Sequence, residues 1–222
     1  MELLKQHEQF EMHVLSDLQS ARLLEKLIFG GDTMLRLCHE LNRYSVDLDF
    51  YLKKRQDEKI ITERLENVFD PSYQIRDFQK KRNTILLEIS TMQFPRKLKL
   101  EINTNYQYSE VEQSIAWSQY SNIQVMVSTI SLPKMMELKI NALLDRKEIR
   151  DAFDLEFMIR RGIQFDYPIE TIHELRKVIA AFKQNDYKVK LGSIISTEDR
   201  RYYNENKFKF LIQHLNYIES KK

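Results

Sequence analysis

The chain has 222 residues, 42% hydrophobic and 31% charged, which is enough to bury a sizeable core and ordinary for a soluble protein. Its 35 basic and 33 acidic residues leave a net charge of +2, too balanced to single out a nucleic-acid binder. Only four glycines and four prolines argue against long flexible linkers, and one cysteine, Cys38, excludes an intramolecular disulfide or a cysteine zinc cluster. No leader or long uncharged apolar run is visible, so a cytoplasmic protein is expected.

Residues 2–26 read as helical, with a break near Ser16 or Ser20. His7 and His13 are six apart and do not share a helix face as an i, i+4 pair would. Leu27-Ile28-Phe29 is a short buried strand leading into Gly30-Gly31, and a helix is expected over 33–41, with Cys38 as a small apolar residue within it. Glycines let a backbone approach a phosphate closely, and the helix that follows aims free N–H groups at its charge. Thr33 adds a hydroxyl to this turn, while Arg36 can either reach phosphate or pair with Glu40 at i+4.

Val46-Asp47-Leu48-Asp49-Phe50 alternates with the period of a half-buried strand, which puts Asp47 and Asp49 on one face. Two carboxylates so placed can share a divalent metal, and Mg²⁺, or Mn²⁺ in its stead, takes such oxygen ligands together with substrate phosphates. Joined to the glycine turn, the pair suits phosphoryl or nucleotidyl transfer.

An amphipathic helix is expected over 56–69, stopped by Asp70-Pro71. Thr84–Ser90 and Leu98–Asn103 read as neighbouring strands around a turn at Pro95. In the second strand Glu101 shares a face with Lys97, Lys99 and Asn103 and is a candidate third carboxylate, with Glu88 the alternative. Lys80, Lys81 and Arg82 with Arg96, Lys97 and Lys99 form a basic group suited either to a polynucleotide backbone or to a solvated face.

Residues 104–122 fit no clear element. Their Tyr106, Tyr108, Trp117 and Tyr120 either stack on a base or close a core edge. A strand follows at 123–130. Pro133 opens a helix, Asp145-Arg146-Lys147-Glu148 resembles a capping box for the next one, and within that helix Asp154 is spaced to pair with Arg150. After Gly162, helices are expected over 168–182 and 205–218, joined by a mixed connection at 184–195.

Gly30-Gly31-Asp32-Thr33, Leu35-Arg36 and Arg43 through Phe50 resemble the first motif of the AbiEii/AbiGii toxin family, part of the polymerase-beta-like nucleotidyltransferase superfamily. Glu137-x-Lys139, Ala142-Leu143, Arg146, Arg150-Asp151 and Asp154-Leu155 resemble its later motifs, in the family's order. One departure is Asp32, an acid among the glycines that would repel a triphosphate unless it turns away.

The resemblance implies that Gly30, Gly31 and Thr33 hold the triphosphate, with Arg36, while Asp47, Asp49 and Glu101 bind Mg²⁺ and activate the attacking hydroxyl. It puts Lys139 and Arg150 at the nucleotide phosphates and gives Lys139 and Asp151 a part in activity. It further implies an NTP substrate, an acceptor such as the 3′ end of a tRNA, and an antitoxin partner.

The expected fold is α+β: a polymerase-beta-like nucleotidyltransferase core, a small mixed sheet backed by helices over residues 1–130, then a helical C-terminal lobe over 131–222. The rivals are a small-molecule nucleotidyltransferase, a metal nuclease, and a non-catalytic nucleotide- or partner-binding module. The nuclease is disfavoured because Ile102 and Asn103, not x-Lys, follow Glu101.

Overall fold

A computed structural model describes residues 2–69, 73–105 and 110–222. The expected stop at Asp70-Pro71 and the tyrosines Tyr106 and Tyr108 lie outside these residues. The chain forms two compact units, the first ending at Ser131 and the second spanning Leu132–Lys222.

The first unit is α+β. Its elements are α1 (Glu2–Ser20), β1 (Leu27–Gly30), α2 (Gly31–His39), β2 (Asp47–Leu52), α3 (Glu58–Phe69), β3 (Gln74–Lys80), β4 (Thr84–Ser90), β5 (Leu98–Asn103), β6 (Val111–Trp117) and β7 (Gln124–Ile130). The seven strands make one mixed sheet in the order β3-β4-β5-β2-β1-β7-β6. Pairings β1–β7 and β2–β5 are parallel and the others antiparallel. The expected mixed sheet backed by helices is therefore present.

Alternation fixes which face of the central strands is buried. Leu48, Phe50 and Leu52 of β2 and Leu98, Leu100 and Ile102 of β5 are essentially inaccessible, while the intervening residues are half-buried. Phe29 stacks on Phe50 with ring centroids 5.2 Å apart, and Phe10 of α1 stacks on Phe94 at 4.9 Å. Each such buried ring contributes on the order of 2–3 kcal/mol. A one-residue register slip would put these side chains in water and the acids in the core, so the same pattern that builds the core aims the carboxylates outward.

The second unit is helical: α4 (Leu132–Arg146), α5 (Ile149–Arg160), α6 (Ile169–Ala180), α7 (Thr197–Asn206) and α8 (Lys209–Glu219), with a π-helical turn at Asp186–Leu191. Phe153, Tyr203 and Phe208 pack together in its interior with Leu211 and Leu215. Glu156, fully buried, accepts hydrogen bonds from the Tyr203 hydroxyl (3.0 Å) and the Leu211 N–H (3.2 Å). Among the described residues no helix is long and apolar enough to cross a membrane.

Several local expectations are corrected. Helix α2 begins at Gly31, two residues early, and β3, β6 and α7 are elements the pattern did not show. No capping box forms at 145–148: α4 runs through Arg146, and Glu148 flanks α5 without a side-chain cap bond.

Candidate active site

The half-buried face of the central sheet carries the acids. Parallel pairing of β2 with β5 sets Asp49 opposite Glu101 and Asp47 opposite Lys99. All four side chains therefore stand on one face, Asp47 and Glu101 about 7 Å apart along the strand direction by backbone rise.

Lys99 is the residue sequence reading undervalued. Its ammonium lies 3.1 Å from Asp47 and 3.7 Å from Glu101, and the three side chains remain 36–42% exposed. Partial burial pulls the Lys99 pKa down, but the bond to Asp47 and the charges of Asp47, Glu101 and Asp49 outweigh it and hold the ammonium above its ordinary value. The outward alternation of Lys97, Lys99 and Glu101 was readable, but the register that puts Lys99 beside Asp47 was not.

The donor set fits a divalent cation: three carboxylates on one face, two of them in direct register, already drawn around a positive charge. Among the described residues no three acid, histidine or cysteine side chains converge tightly enough to hold a metal ion. Asp47 and Glu101 both face the Lys99 ammonium instead.

The glycine turn is built against this face. Gly30 closes β1 opposite Asp49, and Gly31 adopts a left-handed φ of +70°. A Cβ on Gly31 would sit 2.2 Å from Asp49 Oδ2, so the turn packs directly on the carboxylate only because no side chain is there. Thr33, fully buried, donates its hydroxyl to the Asp47 carbonyl at 2.6 Å. It ties α2 to the acid strand and does not present its hydroxyl outward.

Asp32 is neutralised where it stands. The guanidinium of Arg43, 1% exposed, lies 2.7 Å from its carboxylate. The acid that intrudes among the glycines thus has a buried counter-charge eleven residues on, outside the reach of any helix spacing rule. Arg36 pairs with Glu8 of α1, donates to the Leu41 carbonyl at 2.9 Å and lies over the Tyr44 ring. Its partner is 28 positions earlier, not on its own helix.

Beneath the start of β2, buried His7 contacts the Val46 carbonyl through Nε2 at 2.9 Å. Burial lowers the His7 pKa and raises that of Glu11, 3.8 Å away, well above the carboxylate range. Trp117 is exposed at the end of β6, whereas Tyr120 is half-buried with its hydroxyl 3.0 Å from that of Tyr44.

The basic group read as one cluster is two. Lys80 ends β3 with Lys81 and Arg82 in the turn after it, while Arg96 and Lys97 lie in the β4–β5 turn, so the two groups are at opposite ends of β4.

In the second unit, Lys139 lies between two buried carboxylates, 3.3 Å from Asp151 and 2.6 Å from Asp154. Arg146 closes the group from outside, its Nε 2.7 Å from Asp151 Oδ2 and its second contact 2.5 Å from Oδ1. Asp154 therefore pairs with Lys139, correcting the expected pairing with Arg150. Arg150 stands exposed on α5.

Comparison with known proteins follows the same lines. The family model described as nucleotidyl transferase AbiEii toxin, type IV toxin–antitoxin system, matches residues 13–220. No curated protein matches. Solved structures that resemble the chain include JHP933 from Helicobacter pylori, 18% identical with a TM-score of 0.59, covering 100% of this chain and 96% of that one. A second, from H. pylori and titled as a candidate nucleotidyltransferase, has the same identity and score over 95% and 97% of the two chains. At these identities the likeness speaks for the fold.

Proposed function

Because the chain belongs to the AbiEii nucleotidyltransferase toxin family, we propose that it moves a nucleoside monophosphate from an NTP to a hydroxyl of an RNA such as tRNA, using Asp47, Asp49 and Glu101. The observation that carries this reading is the register of β2 and β5, which brings an acid 52 residues away in sequence directly opposite Asp49.

In the proposed reaction the acceptor hydroxyl oxygen bonds the α-phosphorus, the bond from that phosphorus to the bridging oxygen breaks, and pyrophosphate leaves. Glu101 takes the hydroxyl proton. Asp47, Asp49 and Glu101 would hold Mg²⁺ or Mn²⁺, which when bound supplies charge to the attacking and leaving oxygens. Gly30 and Gly31 let the backbone and the N-terminus of α2 approach the phosphates, and Arg43 removes the repulsion Asp32 would otherwise exert. Thr33 and Arg36 serve the same turn by fixing α2 to β2 and to α1. Lys139, Asp151 and Arg150 enter through the family motif, with Asp151 orienting Lys139. An antitoxin partner and a cytoplasmic location follow from the same reading.

The test is transfer of label from each radiolabelled NTP to total tRNA with Mg²⁺, comparing wild type with Asp47→Ala and Asp49→Ala. Transfer by wild type that falls at least about a hundredfold in both variants, with melting temperatures retained, is the expected result. Labelling unchanged by either variant would overturn the assignment.

A further inference from the structure

An open cleft of about 690 Å³ lies between the start of β3, the end of β4 and the β4–β5 turn. Its lining contributes three cations, Arg76, Arg96 and Lys97, and no acid. Phe94 forms its base, 8% exposed and stacked on Phe10 of α1, while Met92 is fully exposed at the rim. Arg76 is held in place by donating Nε to Ser90 Oγ at 2.7 Å. Lys97 is tethered to Glu88 at 3.0 Å but keeps 56% of its side chain in solvent. Arg96 is exposed and makes no ion pair among the described residues. With Lys97 paired to Glu88, Arg76 and Arg96 remain without a carboxylate partner among the described residues, so the cleft is locally basic although the net charge of the whole chain is only +2.

Its position relative to the acids gives the ligand. Lys97, just before β5, is tied to Glu88, which pairs in register with Lys99, so this edge of the cleft lies on the face that carries the carboxylates. Four residues separate Lys97 from Glu101, about 13 Å at 3.3 Å per residue. A nucleic-acid strand stacked at about 3.4 Å per nucleotide covers that distance with roughly four residues. The triphosphate of one nucleotide is too short to occupy the cleft and the acid face together.

We infer that this cleft binds backbone phosphates of the acceptor RNA near its 3′ end, directing the terminal hydroxyl toward Asp47, Asp49 and Glu101. The inference rests on the transferase reading for its direction but not for its binding test. Fluorescence anisotropy of a short fluorescein-labelled single-stranded RNA, without NTP, compares wild type, the double variant Arg96→Glu with Lys97→Glu, and Asp49→Ala. Both cleft residues are exposed, and an unchanged melting temperature checks that the double variant is folded.

The double variant should bind at least about tenfold more weakly, with a salt slope shallower by about 1.4, or about 0.7 per lost phosphate contact. Asp49→Ala, which removes a negative charge facing the RNA, should bind at least as tightly as wild type. Wild-type transfer combined with undiminished RNA binding by the double variant would overturn the cleft and leave the transferase intact. Weakened binding in the double variant, with no label transferred by any form, would support the cleft and sink the transferase. Displacement of the RNA by polyglutamate of matched charge would also overturn the inference, marking an unselective polyanion site.

Discussion

Two lysines in this protein each lie between two carboxylates, and their surroundings make them opposites. Lys99, with Asp47 and Glu101, stands on a sheet face where every partner is more than a third exposed. Lys139, with Asp151 and Asp154, is 4% exposed between acids that are not exposed at all. Water screens the first group and can replace any of its contacts, so its ions are free to exchange for a ligand. In the second group desolvation has already been incurred, and each charge depends on its partner. The same chemistry thus gives an adaptable site in one unit and a fixed joint between α4 and α5 in the other.

The sharpest way to break that contrast is Lys139→Met. It leaves Asp151 and Asp154 buried without the ammonium between them, and should cost about 3–5 kcal/mol in chemical denaturation. A variant as stable as wild type would show that the buried group is not a joint.

Glu11 sharpens the contrast as a buried acid in the first unit. Its folded pKa is raised, chiefly by burial, so the native state retains a proton that the unfolded chain releases above about pH 4.5. Stability contributed by the neutral form is therefore lost as pH rises from there toward the raised native value. Glu11→Gln should flatten that decline and raise stability at pH 7. Melts across pH 5–8 that keep the wild-type slope would contradict it.

Lys99→Met should have the smallest effect on stability, within about 1 kcal/mol. Removing the resident charge should instead tighten Mn²⁺ binding about thirtyfold, from roughly 2 kcal/mol of relieved repulsion between the divalent ion and the ammonium at 4 Å in water. Electron paramagnetic resonance of Mn²⁺ gives that affinity directly, and weaker binding would mean that Lys99 helps assemble the site.

What the sequence made legible follows from period and chemistry. Alternation revealed β2, β4 and β5 because each has one buried face, and the glycine pair marked the turn. Strands β3 and β6 bury too little to alternate, and α7, TEDRRYYNEN, buries only Tyr203. Partners distant in the chain were also hidden. Glu8 for Arg36, Arg43 for Asp32 and Lys139 for Asp154 obey no local spacing, and only packing selects them.

The parallel β2–β5 pairing has a consequence in time. Two acids are translated by residue 49, but the third is not made until residue 101, and it reaches its place only after α3, β3 and β4 have been laid down between. Closing contacts of such sequence separation costs loop entropy and slows folding. A nascent chain that has not reached residue 101 lacks the third acid, so the three carboxylates share a face only once β5 has been made and paired with β2.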